Sequence, residues 1–193
     1  MQEECGPGEE SPERTIREAT RHLVRSLELL DRVLRAPVKP SDPAPVSIRE
    51  LLEFLGALHR ILRSSVTLDL TSVLSQSLPA ITATEEHLEH ALLNVLMNAI
   101  EACAERQDSR IAVTATAGGG RVVLDFADNG PGLAPEVGSR LFEPFVTTKA
   151  RRPMAGLGLA VARELLGRTG GTLEYEPRKP DGSLFVVTLP VWR

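Results

Sequence analysis

Three separated segments carry residue types that can do chemistry on a polar small molecule. In the first, His90, Asn94, Asn98 and Glu101 recur at spacings of 4, 4 and 3 and so share one stripe of a helix. Asparagine inside a helix costs about 0.6 kcal/mol relative to alanine, so two on one face call for a compensating role. The stripe reads either as a solvated face or as the polar edge of a pocket. In a pocket, an amide oxygen can accept from a metal–water network without adding a full charge. The second segment closes the apolar run 122–127 with Asp128, then Asn129-Gly130-Pro131-Gly132-Leu133. Asp-Asn-Gly suits a hairpin turn, but residues 133–142 beyond it look helical, not like a return strand. A carboxylate there can accept from an exocyclic amine, and the glycines let a flat ring approach the backbone. The third segment, Ala155-Gly156-Leu157-Gly158-Leu159-Ala160, leads into a helix, whose N-terminal N–H groups make an anion site. It matches neither the P-loop nor the dinucleotide fingerprint. Between the last two segments, Phe142 and Phe145 suit a lid anchor, and Thr148, Lys149, Arg151 and Arg152 can reach phosphate. The competing reading is a basic surface loop.

These side chains need elements to hold them. Leu88, Ala91, Leu92, Val95, Leu96, Ala99 and Cys103 give the helix over 85–105 a broad apolar face, with Thr84 as its cap. Residues 111–117 and 121–127, parted by Gly118-Gly119-Gly120, predict a hairpin. Residues 128–155 are a long irregular stretch, which in a compact domain is usually functional. A helix over 159–168 is closed by Gly170-Gly171, and 172–176 with 184–189 form a last hairpin turning near Asp181-Gly182. Upstream, Ser47 with Glu50 and Val46 with Leu51 signal a helix start, running to about residue 62. Residues 66–71 and 79–82 read as short strands. Antiparallel strands with segregated helices predict an α+β fold, a two-layer sandwich over 47–193.

The N-terminal part is different. Residues 1–12 read as a disordered acidic tail. Over 13–35, Ile16, Thr20, Leu23, Leu27, Leu30 and Leu34 form a heptad seam, and Val24, Leu29 and Val33 widen it toward a bundle. Such a seam needs a partner, either the rest of this chain or a second copy of it in a homodimer. Residues 36–46, with Pro37, Pro40, Pro43 and Pro45, read as a stiff linker. Hydrophobic content of 42% and charged content of 25% are ordinary for a globular protein. A net charge of -4 argues against non-specific nucleic-acid binding. With no apolar run of membrane-spanning length and no signal-peptide pattern, a cytoplasmic location without direct membrane contact is expected. Cys5 and Cys103 suggest neither a disulfide framework nor a metal site. Cys103 suits a small buried thiol.

In their order, these blocks resemble the ATP-binding domain of the GHKL superfamily, with its Bergerat fold, and within it the catalytic domain of sensor histidine kinases. The resemblance covers about 47–193: Asn94-x-x-x-Asn98-Ala99 as the N box, Asp128-Asn129-Gly130-Pro131-Gly132 as the G1 box, Phe142-x-x-Phe145 as the F box and Gly156-Leu157-Gly158-Leu159 as the G2 box. It implies ATP and Mg²⁺ as cofactors, with Asp128 reading the adenine amine and Asn98 holding Mg²⁺. The implied ATP site also includes Asn94, Gly130, Gly132, Phe145, Thr148, Lys149 and the G2 residues, whose backbone would hold phosphates under a lid containing Lys149. No catalytic residue is assigned beyond this site. The short Thr147-Thr148-Lys149 lid entry looks like the nitrogen-regulator type. Met154 stands where the family usually has glycine, which implies a stiffer lid and an altered grip on phosphate.

The resemblance also bears on the reaction. Residues 13–35 resemble the second helix of a dimerisation hairpin. His22, followed by Leu23-Val24-Arg25, lacks the acidic neighbour of a phosphoacceptor and reads as a surface histidine. His59 reads as structural, and His90 as an edge of the pocket. The acceptor is therefore expected outside this chain, on a histidine-containing dimerisation domain, with a response regulator as the further partner. GHKL ATPases usually place a general-base Glu where this chain has Asn94, and an amide cannot take a proton from water. That favours phosphoryl transfer to an imidazole over hydrolysis. The alternatives are an anti-sigma-type serine kinase switch protein, and a non-catalytic ATP-binding pseudokinase or docking module.

Overall fold

The computed structural model describes residues 43–61, 65–104, 106–138, 140–146 and 156–193. The tail 1–12, the helix predicted over 13–35, the linker up to residue 42, and Thr148, Lys149, Arg151, Arg152 and Met154 lie outside those residues.

The last residues of the expected linker form a strand. β1 (Ala44–Val46) pairs antiparallel with β3 (Ile81–Ala83) in a small ribbon. Pro45 has no N–H to donate, which such an edge tolerates. α1 (Ile48–Ile61) starts where predicted: Ser47 Oγ accepts from the Glu50 N–H at 3.4 Å. Its buried residues Ile48, Leu51, Leu52 and Leu55 fall at i, i+3, i+4 and i+7, one helical stripe.

A five-stranded sheet carries the rest, in the order β2-β4-β5-β7-β6. Its strands are β2 (Thr67–Asp69), β4 (Arg110–Gly118), β5 (Arg121–Asp128), β6 (Thr172–Pro177) and β7 (Ser183–Pro190). The β4–β5 hairpin turns at Gly119 and Gly120, with φ of 59° and 74°. Positive φ at both central residues is what a tight hairpin turn of matching twist requires. One expectation is corrected at the edge. β2 is shorter than 66–71 and pairs parallel with β4, not antiparallel. Asp69 Oδ1 accepts from the Thr71 N–H at 3.0 Å and turns the chain into a short helix, α2 (Thr71–Leu74).

The three central strands alternate. Ile111, Val113 and Ala115, then Val122, Leu124 and Phe126, then Phe185, Val187 and Leu189 are buried, while their neighbours are more exposed. Each large apolar side chain so placed contributes about 1.5–3 kcal/mol. α3 (Glu85–Cys103) covers this core and packs against α5 (Gly158–Arg168). All seven predicted apolar residues of α3 are buried. Thr84 does sit at its N-cap, but its side chain makes no capping bond. The Leu88 N–H donates instead to the Thr84 carbonyl at 3.1 Å. The helix expected over 133–142 shrinks to one turn, α4 (Pro135–Gly138), followed by turns. The result is an α+β two-layer sandwich.

Candidate functional site

Asp128 continues the period-two run Val122, Leu124, Phe126, so its side chain falls on the core face of the sheet. It is 0% exposed. Oδ1 accepts from the Gly130 N–H at 2.8 Å and from the Ser183 N–H at 3.1 Å. Oδ2 is buried and has no partner among the described residues. Burial pushes this carboxyl above the usual carboxylate range, against the opposing pull of the Gly130 and Ser183 bonds and of the Arg178 guanidinium. A buried, half-satisfied carboxylate is costly in the free protein and offers an acceptor to a ligand.

The glycines around it are there for space. A Cβ on Gly130 would lie 3.0 Å from Asp128 Oδ1 and 3.1 Å from the Ala102 carbonyl oxygen. Gly132 has φ 72° and sits against the Gly182 carbonyl. Asn129 is a brace. Its Nδ2 donates to the Asp108 carbonyl at 2.8 Å, and its Oδ1 accepts from the Arg110 N–H at 2.8 Å.

The first and third segments meet. A Cβ on Gly158 would lie 3.3 Å from Asn94 Oδ1, so the first residue of α5 packs directly on the N-box face of α3. Asn94 and Asn98 are half-buried one turn apart, as are His90 and Glu101 on the same stripe. Burial, with His87 beside it, holds the His90 imidazole below its ordinary value. His59 is partly buried, with Nε2 unpartnered among the described residues. Cys103 is a buried free thiol. The opening N–H groups of α5 have no helical acceptor and suit an anion. Leu157 lies at the N-cap. Leu159 is buried in the core, so only its main chain can face a ligand.

The two F-box rings differ in burial. Phe145 is 70% exposed with φ 66°. Phe142 is half-buried, with the Arg163 guanidinium over its ring at 5.4 Å. The backbone adds a tie, because the Phe145 N–H donates to the Gly156 carbonyl at 3.0 Å. Gly156 has φ 84°, and a Cβ there would lie 2.6 Å from the Val146 carbonyl oxygen.

Sequence reasoning missed the β6–β7 turn as part of this site. Ser183 continues the inward run with Phe185 and Val187, a period-two signal that marks it as core-facing, but nothing local says that the turn reaches Asp128. Among the described residues, no group of three or more His, Cys, Asp or Glu side chains could hold a metal.

A family model described as "Histidine kinase-, DNA gyrase B-, and HSP90-like ATPase" matches residues 83–193, which contain the asparagine stripe, Asp128 and both glycine turns. The chain belongs to this ATPase family. Within it, the similarity lies with sensor histidine kinases. The C4-dicarboxylate transport sensor protein DctB of Rhizobium meliloti is 43% identical over 102 residues, covering 53% of this chain and 16% of DctB. The sensory histidine kinase/phosphatase NtrB of the same organism is 31% identical over 167 residues, covering 79% of this chain and 43% of NtrB. The structure of full-length ShkA in complex with AMPPNP is similar at a TM-score of 0.71 and 32% identity, over 92% of this chain and 38% of ShkA. This ATPase-family chain thus spans less than half the length of each of these relatives. Among the described residues no helix is long and apolar enough to cross a membrane.

Proposed function

We propose that this chain is the ATP-binding catalytic part of a sensor histidine kinase, transferring the γ-phosphoryl of ATP to a histidine outside the chain. The observation that carries the reading is Asp128, a fully buried carboxylate with one oxygen left unpartnered. That oxygen fits the exocyclic amine of adenine, and Gly130 and Gly132 leave room for the ring. The likeness to ShkA, whose structure holds AMPPNP, supports the same ligand class.

Asn94, Asn98, Asp128, Gly130, Gly132, Phe145, Gly156, Leu157, Gly158 and Leu159 are proposed as the ATP site, with Thr148 and Lys149 as its contacts outside the described residues. Phe145 and Leu159 serve through their main chains. Asn98 is proposed to hold Mg²⁺. A single neutral amide suits an ion that keeps most of its ligands as water and phosphate. When bound, Mg²⁺ would offset phosphate charge. The opening N–H groups of α5 hold phosphate oxygens, and Asn94, packed on Gly158, shapes that corner. Asn94 has no basic group for water, so the site favours transfer to a nucleophile that needs only positioning. Partners of this kind are a histidine-containing dimerisation domain and a response regulator, in the cytoplasm where ATP is supplied.

Incubation with γ-labelled ATP and a separately made acceptor-helix domain tests the reading. Acid-labile, base-stable label on that domain is expected. Label on serine, or no label despite intact ATP binding, would instead support the serine-kinase or the non-catalytic alternative.

A further inference from the structure

The turn between β6 and β7 does more than reverse the chain. Arg178 Nη1 donates to the Asp128 main-chain carbonyl at 3.0 Å. The Arg178 N–H donates to the Gly182 carbonyl at 3.1 Å, closing the turn on itself. The next residue, Ser183, donates its N–H to Asp128 Oδ1 at 3.1 Å. One turn therefore grips both the carbonyl and the carboxylate of the same residue. The approach is so close that a Cβ on Gly182 would lie 2.2 Å from the Asp128 carbonyl oxygen. A weaker tie holds the turn from the α3 side, where Arg106 Nη1 lies 3.7 Å from Asp181 Oδ2.

Resting on the base-reading role proposed for Asp128, we propose that Arg178 is a positioning residue for nucleotide selectivity, fixing the Asp128 carboxylate through its own main-chain carbonyl. The guanidinium donor is charged and the acceptor is a strand-end carbonyl, so the bond is of the stronger class. Without it the carbonyl loses its partner, and the turn that supplies the Ser183 N–H is freed at one end. Oδ2 then points at the base with less definition. The phosphate contacts, made by α5 and α3, are untouched. Arg178 is itself exposed, so replacing it leaves the core intact.

The experiment compares ATP with inosine triphosphate, which lacks the exocyclic amine, in calorimetric titrations of the chain and three variants. Arg178→Met keeps the aliphatic stem without the donor and is expected to weaken ATP about tenfold while leaving inosine triphosphate unchanged. Arg178→Lys is expected to recover part of the ATP loss, with melting temperatures close to the parent's throughout. An unchanged ratio of the two affinities in Arg178→Met overturns the proposal, whether both affinities hold or both fall together. Asp128→Asn separates the two levels. If it leaves ATP affinity intact, the base-reading role itself fails. If it abolishes the preference for ATP while Arg178→Met does not, only the role of Arg178 fails.

Discussion

Asp128 costs the free protein something that its ligand can return. Burial raises its carboxyl value in the fold, so the folded chain holds that proton to higher pH than the unfolded chain. The stability this contributes is full below the ordinary carboxylate value, about 4, and is lost as pH rises through the raised value. Above that raised value the fold carries an ionised, half-satisfied group. Asp128→Asn is therefore expected to raise the melting temperature of the nucleotide-free protein at pH 7, by about 2–4 °C per kcal/mol relieved. Near pH 4 the gain should shrink. Thermal scans at the two pH values check this, and a lower melting temperature at pH 7 would contradict the buried-charge account. Asn98 makes a separate prediction. Asn98→Ala should abolish the part of ATP affinity that depends on Mg²⁺ and leave binding in EDTA unchanged. Titration with and without the ion reads the difference.

The elements explain why two glycines in one turn are not equivalent. At Gly156 a side chain would meet main-chain atoms of Phe145 and Val146, with φ at 84°. Backbone cannot step aside, and φ in that region is itself unfavourable for other residues. At Gly158 the obstacle is the Asn94 side chain at 3.3 Å, which can rotate. Gly156→Ala should therefore lower the melting temperature and ATP affinity together, through about 1–3 kcal/mol of local strain. Gly158→Ala should leave stability nearly unchanged and disturb phosphoryl transfer more than binding. Melting curves beside steady-state kinetics separate the two, and equal destabilisation would argue against this geometry. The α3 stripe, the α1 face and the β4–β5 hairpin were legible in the sequence because periodicity and paired glycines are local signals. β1 was not, since a three-residue strand shows no period, and β2 was readable as a strand over 66–71 but not in its parallel pairing with β4. The docking of the β6–β7 turn on Asp128 was not either, because the two lie 50 residues apart and meet only through sheet register.

At the scale of the molecule, α3 touches both other segments, with Ala102 against Gly130 and Asn94 against Gly158. The buried face of β4, β5 and β7 fixes Asp128, while α3 against α5 fixes Asn94 on Gly158. The candidate site was readable as a set of residue types. Their joining was not, because contact between α3 and α5 depends on how both pack on the sheet. Phe145 marks the same boundary, since its residue type alone did not show its positive φ or its exposure. Fold and chemistry together predict that Asn94→Glu, which places a carboxylate beside the phosphate corner, raises ATP hydrolysis relative to protein phosphorylation, measured as phosphate release. No rise, with ATP affinity retained, would count against the role given to that position. Base reading by this fold rests on Asp128. Calorimetric titration of Mg–ATP into the chain and into Asp128→Asn tests it most directly. A loss of about tenfold or more is predicted, as expected when a charged acceptor at a buried amine contact is removed. Equal affinities would contradict the assignment of Asp128 as the residue that reads the base.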